Sequence, residues 1–546
     1  MMMDAGLTIT SDWDISGGVI EVTERTPSVL FNALGALEMM VDHLDGKLTL
    51  DLTEQIDGAT TIGRAITALA LEFEYFDSAM VFLDVLEEPV IPTAEAPVLP
   101  NEQPIEQIVV RLESKLASEL PVEEVFPIAA AVSFPGTVSS DEERVSGSFV
   151  FQADYEGRNP GYVYSNPEAP RWFSTGLYAP AGELITVTLY TGQTGQGLDL
   201  LIGSHTDTLW ATDSWSRHPD ITRTFPLDED VTSAVSGFGG LIYFRVPSGS
   251  ELGEVRLLIS DAVRAPWYQH GVTGLDAWEE IRDYPAPRAE FQSDKFILTV
   301  PSDIIRELDN PDELMDFWDS VLDADADLAS ISRDRVRPER FVTDRQISVG
   351  WMHSGYPLMA HDVSAPDLTN LEQILGNGDW GAFHELGHNH QFEAWILPGT
   401  TEASVNLWSV YDYEEVLEIP RDSGSHSAIS NEEREARILG YLEGGADFYA
   451  DWSVWTALET YLQLQEAFGW ELYMDLFSDY LSLTGGDVPN TDQERIDEWV
   501  VRTSNAVELN LVPFYDAWGF PFSSWVEAEL ADWPDWEDHP MVEYTE

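Results

Sequence analysis

His384 and His388 stand four residues apart with Glu385 beside the first of them, in the segment WGAFHELGHNHQ. On an α-helix that spacing projects both imidazoles from one face. Two imidazoles so placed bind one Zn2+ at about 2.0–2.1 Å each. Glu385 sits about 100° around the helix from His384, so its carboxylate can reach a water on the metal without being a ligand. Zinc lowers the pKa of such a water toward about 7, and Glu385 then takes its proton as general base while the water attacks a carbonyl. Asp379 is placed to cap the helix start, and Phe383 and Leu386 supply buried contacts. Gly387 costs about 1 kcal/mol of helix propensity relative to Ala, which points to close packing at that position.

A catalytic zinc takes three protein ligands and keeps one open position. The chain has no cysteine, so the third ligand is His, Asp or Glu. Glu402, fourteen residues past His388 in GTTEASVNLWSVY, is the favoured choice, since a helix–turn–helix return brings it back to the metal. Glu393 is a weaker rival only five residues past His388, and the two-residue offset of His390 points its ring elsewhere. Around this centre, His353 and Tyr356 in GWMHSGYP are candidates for substrate binding or oxyanion stabilisation, on a segment suited to be an edge strand beside the cleft, although a packed turn at Tyr356-Pro357 is the commoner use of such a segment. Asn406, four residues past Glu402, is a candidate to steady the ligands, and Asp447 in EGGADFYADW to orient an imidazole, although helix capping explains Asp447 equally well. Trp351, Trp380 and Trp408 could stack on sugar rings, although core packing is the commoner use of tryptophan.

The elements that must position these residues fall into three stretches. Residues 1–125 hold three amphipathic helices, VLFNALGALEMMVDHL, IGRAITALALEFEYF and IEQIVVRLESKLASEL, with the proline-punctuated linker PVIPTAEAPVLPNEQP before the last. Nothing in them gathers polar chemistry, so the reading is a structural or docking module. Residues 126–268 alternate in short strands (SGSFVFQADY, ELITVTLYT, LDLLIG, LIYFRV, EVRLLIS), which predicts a β-sandwich. From 269 to 546 helical periodicity returns in DELMDFWDSVL, DWGAFHELGHNHQFEAW, TEASVNLWSVYDYEEVL, SVWTALETYLQLQEAF and RIDEWVVRTSNAVE, while RDSGSHSAISNEE reads as a loop. The fold class expected is α+β and multidomain.

The chain carries 98 acidic and 27 basic residues in 546, a formal net charge of −71. Such a surface repels itself in dilute buffer, whereas at 1 M salt the Debye length falls to about 3 Å and the repulsion is screened. Adaptation to high salt follows as an expectation. Electrostatic binding to nucleic acid or to an anionic membrane is disfavoured by the sign of the field. No apolar run approaches the length of about 20 residues needed to span a bilayer. The opening MMMDAGLTITSDWD lacks the basic and apolar regions of a signal peptide.

Beyond the metal motif, FSTGLYAPAGELITVTLY, LLIGSH, GFGGLIYFRVPSG, TDRQISVGWMHSGYPLM, GAFHELGHNHQ, LQLQEAFGWELY and LVPFYDAWGF occur in that order. Together they resemble the enhancin and enhancin-like (mucin-degrading) zinc metallopeptidases over roughly residues 130–530. The resemblance implies a β-sandwich leading into a gluzincin-type catalytic domain. It implies His384, His388 and Glu402 as ligands of one zinc ion and Glu385 as general base. It also implies an endopeptidase that cuts O-glycosylated proteins, mucin-like or of the cell surface, and works outside the cell or at its surface. Two further readings stand beside it: a general zinc endopeptidase with no glycan requirement, and a glycan-binding or adhesion protein.

Overall fold

Asp51 and Glu54 form a capping box, each side chain accepting the other residue's backbone N–H, and this starts the helix Leu52–Ala68. The helix packs between Ala33–Leu44 and Pro104–Glu119, and the three share a core built on Leu37, Met40, Ile62, Ile66, Ile108 and Leu112. The computed structural model describes residues 28–190, 192–421 and 425–545; the opening segment and part of the loop read at 421–433 lie outside them. The second helix begins ten residues earlier than its sequence reading, and the chain turns extended at Leu69. Gly58, Thr60, Thr61 and Gly63 are poor helix formers that hid its first half, and the capping box outweighs them. The proline stretch is tied down rather than free: Val98 and Trp215 exchange both backbone N–H···O bonds, at 2.9 and 2.8 Å. Trp215 and Leu209 also enter the helical core, so this module packs directly on the next one.

The sandwich strands are β1 (Val145–Tyr155), β2 (Arg171–Ala179), β3 (Ile185–Leu189), β4 (Asp199–Ile202), β5 (Arg223–Pro226), β6 (Val231–Ala234), β7 (Gly240–Val246) and β8 (Ser250–Arg264). All pairings are antiparallel, in the order β5-β4-β7-β2-β8-β3-β6, with β1 also on β8. The fifteen-residue β8 serves both halves: most of its length pairs with β1 and β3, and its last residues, Val263 and Arg264, pair with β2. The inward side chains of both halves, among them Val187, Leu200, Ile202, Phe244 and Ile259, form one core.

A second sheet follows, of β9 (Trp267–Gln269), β10 (Arg288–Gln292), β11 (Phe296–Pro301), β12 (Glu339–Asp344), β13 (Met352–His353) and β14 (Leu358–His361). Its order is β13-β14-β12-β11-β10-β9, with parallel and antiparallel pairs mixed. The helical reading from 269 onward passed over this sheet. Its strands are short and buried on both faces, and they carry interior charges, so they show no alternation. The segment read as an edge strand does end the sheet, as β13. The helix Pro311–Leu328 covers the sheet, with Trp318 stacked 4.9 Å from Phe296 and edge-on to Phe383 at 6.3 Å. The remaining helices pack in a separate aromatic core around Trp395, Trp408, Phe477 and Trp499. Sandwich and sheet are joined by a forked pair, Arg217 to Asp344 at 2.7 Å on both oxygens, each side chain fully buried. Among the described residues no helix is long and apolar enough to cross a membrane.

Candidate metal centre

The helix Trp380–His388 starts where Asp379 accepts the N–H of Ala382 at 3.0 Å, the cap expected from sequence. Phe383 and Leu386 face the core under the sheet, which leaves His384, Glu385 and His388 toward the cleft. Gly387 lies against the next helix, where an added Cβ would stand 2.8 Å from Trp408 Cβ and 3.0 Å from Val405. That contact brings the segment carrying Glu402 back onto the motif. The ligand atoms of His384, His388 and Glu402 come within 4.8 Å of one another. Glu402 Oε2 lies 3.2 Å from His384 Nε2 and 3.4 Å from His388 Nε2.

The outer nitrogens of both rings are held, and the hydrogen-bond chemistry places a hydrogen on each Nδ1. Asn406 Oδ1 faces His384 Nδ1 at 2.8 Å and also Trp380 Nε1 at 3.2 Å. An indole N–H only donates, so the Asn406 atom is oxygen and His384 Nδ1 carries its hydrogen. Gln391 Nε2 donates to the Thr401 carbonyl at 2.8 Å, which leaves its oxygen 2.6 Å from His388 Nδ1. Both Nε2 atoms therefore point inward toward Glu402 with Nδ1–H outward. With the Nε2 atoms free to bind metal, two imidazoles and one carboxylate would fit a divalent zinc ion. The residues present suit the group. Asn406→Ala is expected to weaken zinc binding about 10- to 100-fold with the fold retained, as measured by competition with a chelating dye.

Burial raises the Glu385 carboxyl above its ordinary value, opposed by the nearby His384 and His388, and its side chain is only 9% exposed. The shift moves its affinity for a proton in the direction a general base at neutral pH needs. Hydrogen bonds from His384 and then His388 hold the Glu402 carboxylate far below the usual range.

Residues 261–519 match the Peptidase M60 family, enhancin and enhancin-like, and residues 158–260 match the N-terminal domain of M60-like peptidases. The chain belongs to the M60 peptidase family. The TRPM8 channel-associated factor 2 of Bos taurus is 46% identical over 381 residues, which are 69% of this chain and 41% of that protein. The chain thus spans less than half the length of this relative. A functionally unknown conserved protein of Bacillus anthracis shares the fold at a TM-score of 0.60 and 21% identity, over 72% of this chain and 80% of that one. The M60 catalytic domain of Clostridium perfringens ZmpC, solved with the sialyl T antigen, superposes at a TM-score of 0.53 and 16% identity, over 71% and 80% of the two chains.

The other residues singled out in the M60 unit fall differently. Glu393 bonds Arg495 at 2.9 Å, away from the ligands. His390 Nδ1 donates to the Leu386 carbonyl at 2.7 Å, and its Nε2 accepts from Arg335. Asp447 does not orient an imidazole: its Oδ1 accepts the N–H groups of Tyr449 and Ala450 and closes its own turn. Tyr356 does not face the cleft as a binding group. It is buried, its hydroxyl accepts the Trp172 N–H at 3.2 Å, and Arg337 lies 3.9 Å over its ring. Trp408 is fully buried in the helical core, whereas Trp351 is 62% exposed at the cleft edge and, with Trp380, lines a cavity there. His353 Nε2 lies 2.8 Å from Asp207 and Nδ1 lies 2.9 Å from the Ser354 carbonyl. With both nitrogens against oxygens, neither N–H is free for a substrate oxygen. Burial opposes a charge on this ring, but Asp207 and the Ser354 carbonyl outweigh it and raise the pKa.

Sequence reasoning missed Gln391, Asn389 and Asp207. Gln391 follows His388 by three residues, a spacing that could have been read. Asn389 pins the end of the motif helix, bonding Glu339 at 2.8 Å and both the N–H and carbonyl of Gly355. Asp207 reaches the site from a sandwich loop 146 residues away from His353, and no local pattern announces it.

Proposed function

We propose that this chain is a zinc-dependent endopeptidase acting on O-glycosylated proteins. The observation that carries the peptidase reading is the convergence of His384, His388 and Glu402 with buried Glu385 alongside. Zinc held by the three ligands supplies Lewis-acid activation of a water and polarisation of the scissile carbonyl. Glu385 accepts the proton of the attacking water on its carboxylate and delivers it to the departing amine. Asn406 and Gln391 hold the ring planes, so the ligand atoms need no reorganisation on binding. His353, fixed by Asp207, adds positive charge near Glu385 and lowers the cost of its ionised form. The outer edge of β13, which pairs with no strand among the described residues, offers backbone hydrogen bonds to an extended substrate.

The glycan requirement is supported by ZmpC, whose M60 catalytic domain binds the sialyl T antigen, and by the exposed Trp351 at the cleft edge. Incubation with a Ser/Thr-rich O-glycosylated protein is expected to give discrete fragments that a zinc chelator abolishes. The same protein stripped of its glycans is expected to stay intact, and its equal cleavage would leave a general endopeptidase. A second reading comes from the relatives named as TRPM8 channel-associated factors: association with a membrane-protein partner. Partner association of that kind would persist in a variant lacking the general base.

The working location proposed is extracellular or at the cell surface, at high salt. With a charge of −71, the thermal midpoint is expected to climb steeply between 0.1 M and 1 M KCl, as screening shortens from about 10 Å to about 3 Å. A midpoint insensitive to salt in calorimetry would remove the salt-adapted reading.

A further inference from the structure

In a chain with 98 acidic and 27 basic residues, an arginine without a carboxylate or carbonyl partner stands out. Arg111, on the helix Pro104–Glu119, has no hydrogen bond or ion pair among the described residues, and its Nε is buried without a partner. Its position is nevertheless built. The guanidinium carbon lies 4.5 Å from the centroid of the Trp210 ring, which covers one face. The opposite helix leaves room for it at Gly63, where a Cβ would stand 2.4 Å from Arg111 Cδ and 2.6 Å from Nε. Stacking on Trp210 leaves the in-plane N–H fork as the part that can meet a ligand.

The space beside Arg111 is a cavity of about 160 Å³, at the junction of the N-terminal helices and the sandwich, with Lys115, Ser114, Ser118 and Asp220 among its walls. Lys115 is one helical turn along and 8% exposed, and it bonds Glu119 at 2.5 Å, which leaves further ammonium N–H groups. Two carboxylates, Asp220 and Glu119, also line the cavity, and neither makes an ion pair with Arg111. Arg64 on the neighbouring helix adds like charge. Burial and that like charge together disfavour the cation, and an anion relieves both.

We propose that this cavity binds a small oxyanion, a carboxylate or a phosphate, through the Arg111 fork and Lys115, and so ties the N-terminal helices to the sandwich. A carboxylate or phosphate oxygen pair matches the two parallel N–H donors of a guanidinium.

The test uses the full chain at constant ionic strength, replacing chloride stepwise by inorganic phosphate or, separately, by acetate. Thermal unfolding and titration calorimetry are followed together. One equivalent bound, with a midpoint rising with ligand concentration, supports the site, and the more effective anion identifies which oxyanion it takes. Arg111→Met is expected to lose the response and to melt no lower than the parent in chloride, because it removes a part-buried charge that has no ion-pair partner among the described residues. Arg111→Lys is expected to weaken binding about tenfold, by losing the fork. No response to either anion, or an undiminished response in both variants, would overturn the proposal.

Discussion

Replacing Glu385 by Gln is expected to lower kcat/KM by about 10²- to 10⁴-fold while leaving one zinc ion per chain. Gln keeps the shape of the side chain, so the buried position, 9% exposed, gains no cavity. It cannot take up the water's proton. The ligands are untouched, because Asn406 and Gln391 hold the imidazoles independently of Glu385. Stopped peptide-cleavage assays, paired with zinc analysis of the same preparation, give both numbers. Undiminished cleavage would assign the base to another group.

Replacing Glu402 by Ala is expected to lower zinc affinity beyond the about 10- to 100-fold that loss of a supporting partner costs, and to abolish cleavage at limiting zinc. The side chain is 60% exposed, so its removal should leave the fold intact. Glu393→Ala is the matched control. It severs an exposed pair with Arg495, worth at most about 1 kcal/mol, and should leave zinc binding unchanged. Reversal of the two outcomes would mean that the ligand had been assigned to the wrong glutamate.

The parts of the site that were legible are those set by local spacing. His384 and His388 read directly from the helical period, Asp379 from capping, and Gly387 from its cost within a helix. Glu402 was legible because a short helix–turn–helix return leaves few glutamates within reach, and Asn406 because it lies one turn beyond. Strands with one solvated face also read correctly: β1 alternates half-buried or buried residues with exposed ones along its whole length. The sheet beneath the site did not. The strand Glu339–Asp344 is buried at every residue, and its interior charges are neutralised by partners distant in sequence, such as Arg158 for Glu339 and Arg217 for Asp344. Such pairing leaves no periodic signal. Asp447 and Tyr356 take the structural alternatives, a backbone cap and a packed turn, for a related reason. Sequence shows which groups are able to act but not which way they face, and these two spend their polar atoms on a turn and on the Trp172 backbone. His353 shows the converse, since its partner Asp207 comes from another module.

The most direct test is mass spectrometry of one Ser/Thr peptide, bare and carrying a single O-linked GalNAc, incubated with the zinc-loaded chain at high salt. Cleavage of the glycosylated peptide alone, beside the sugar and abolished in Glu385→Gln, is the result expected. Cleavage of neither peptide by a chain that holds its zinc would contradict the peptidase assignment.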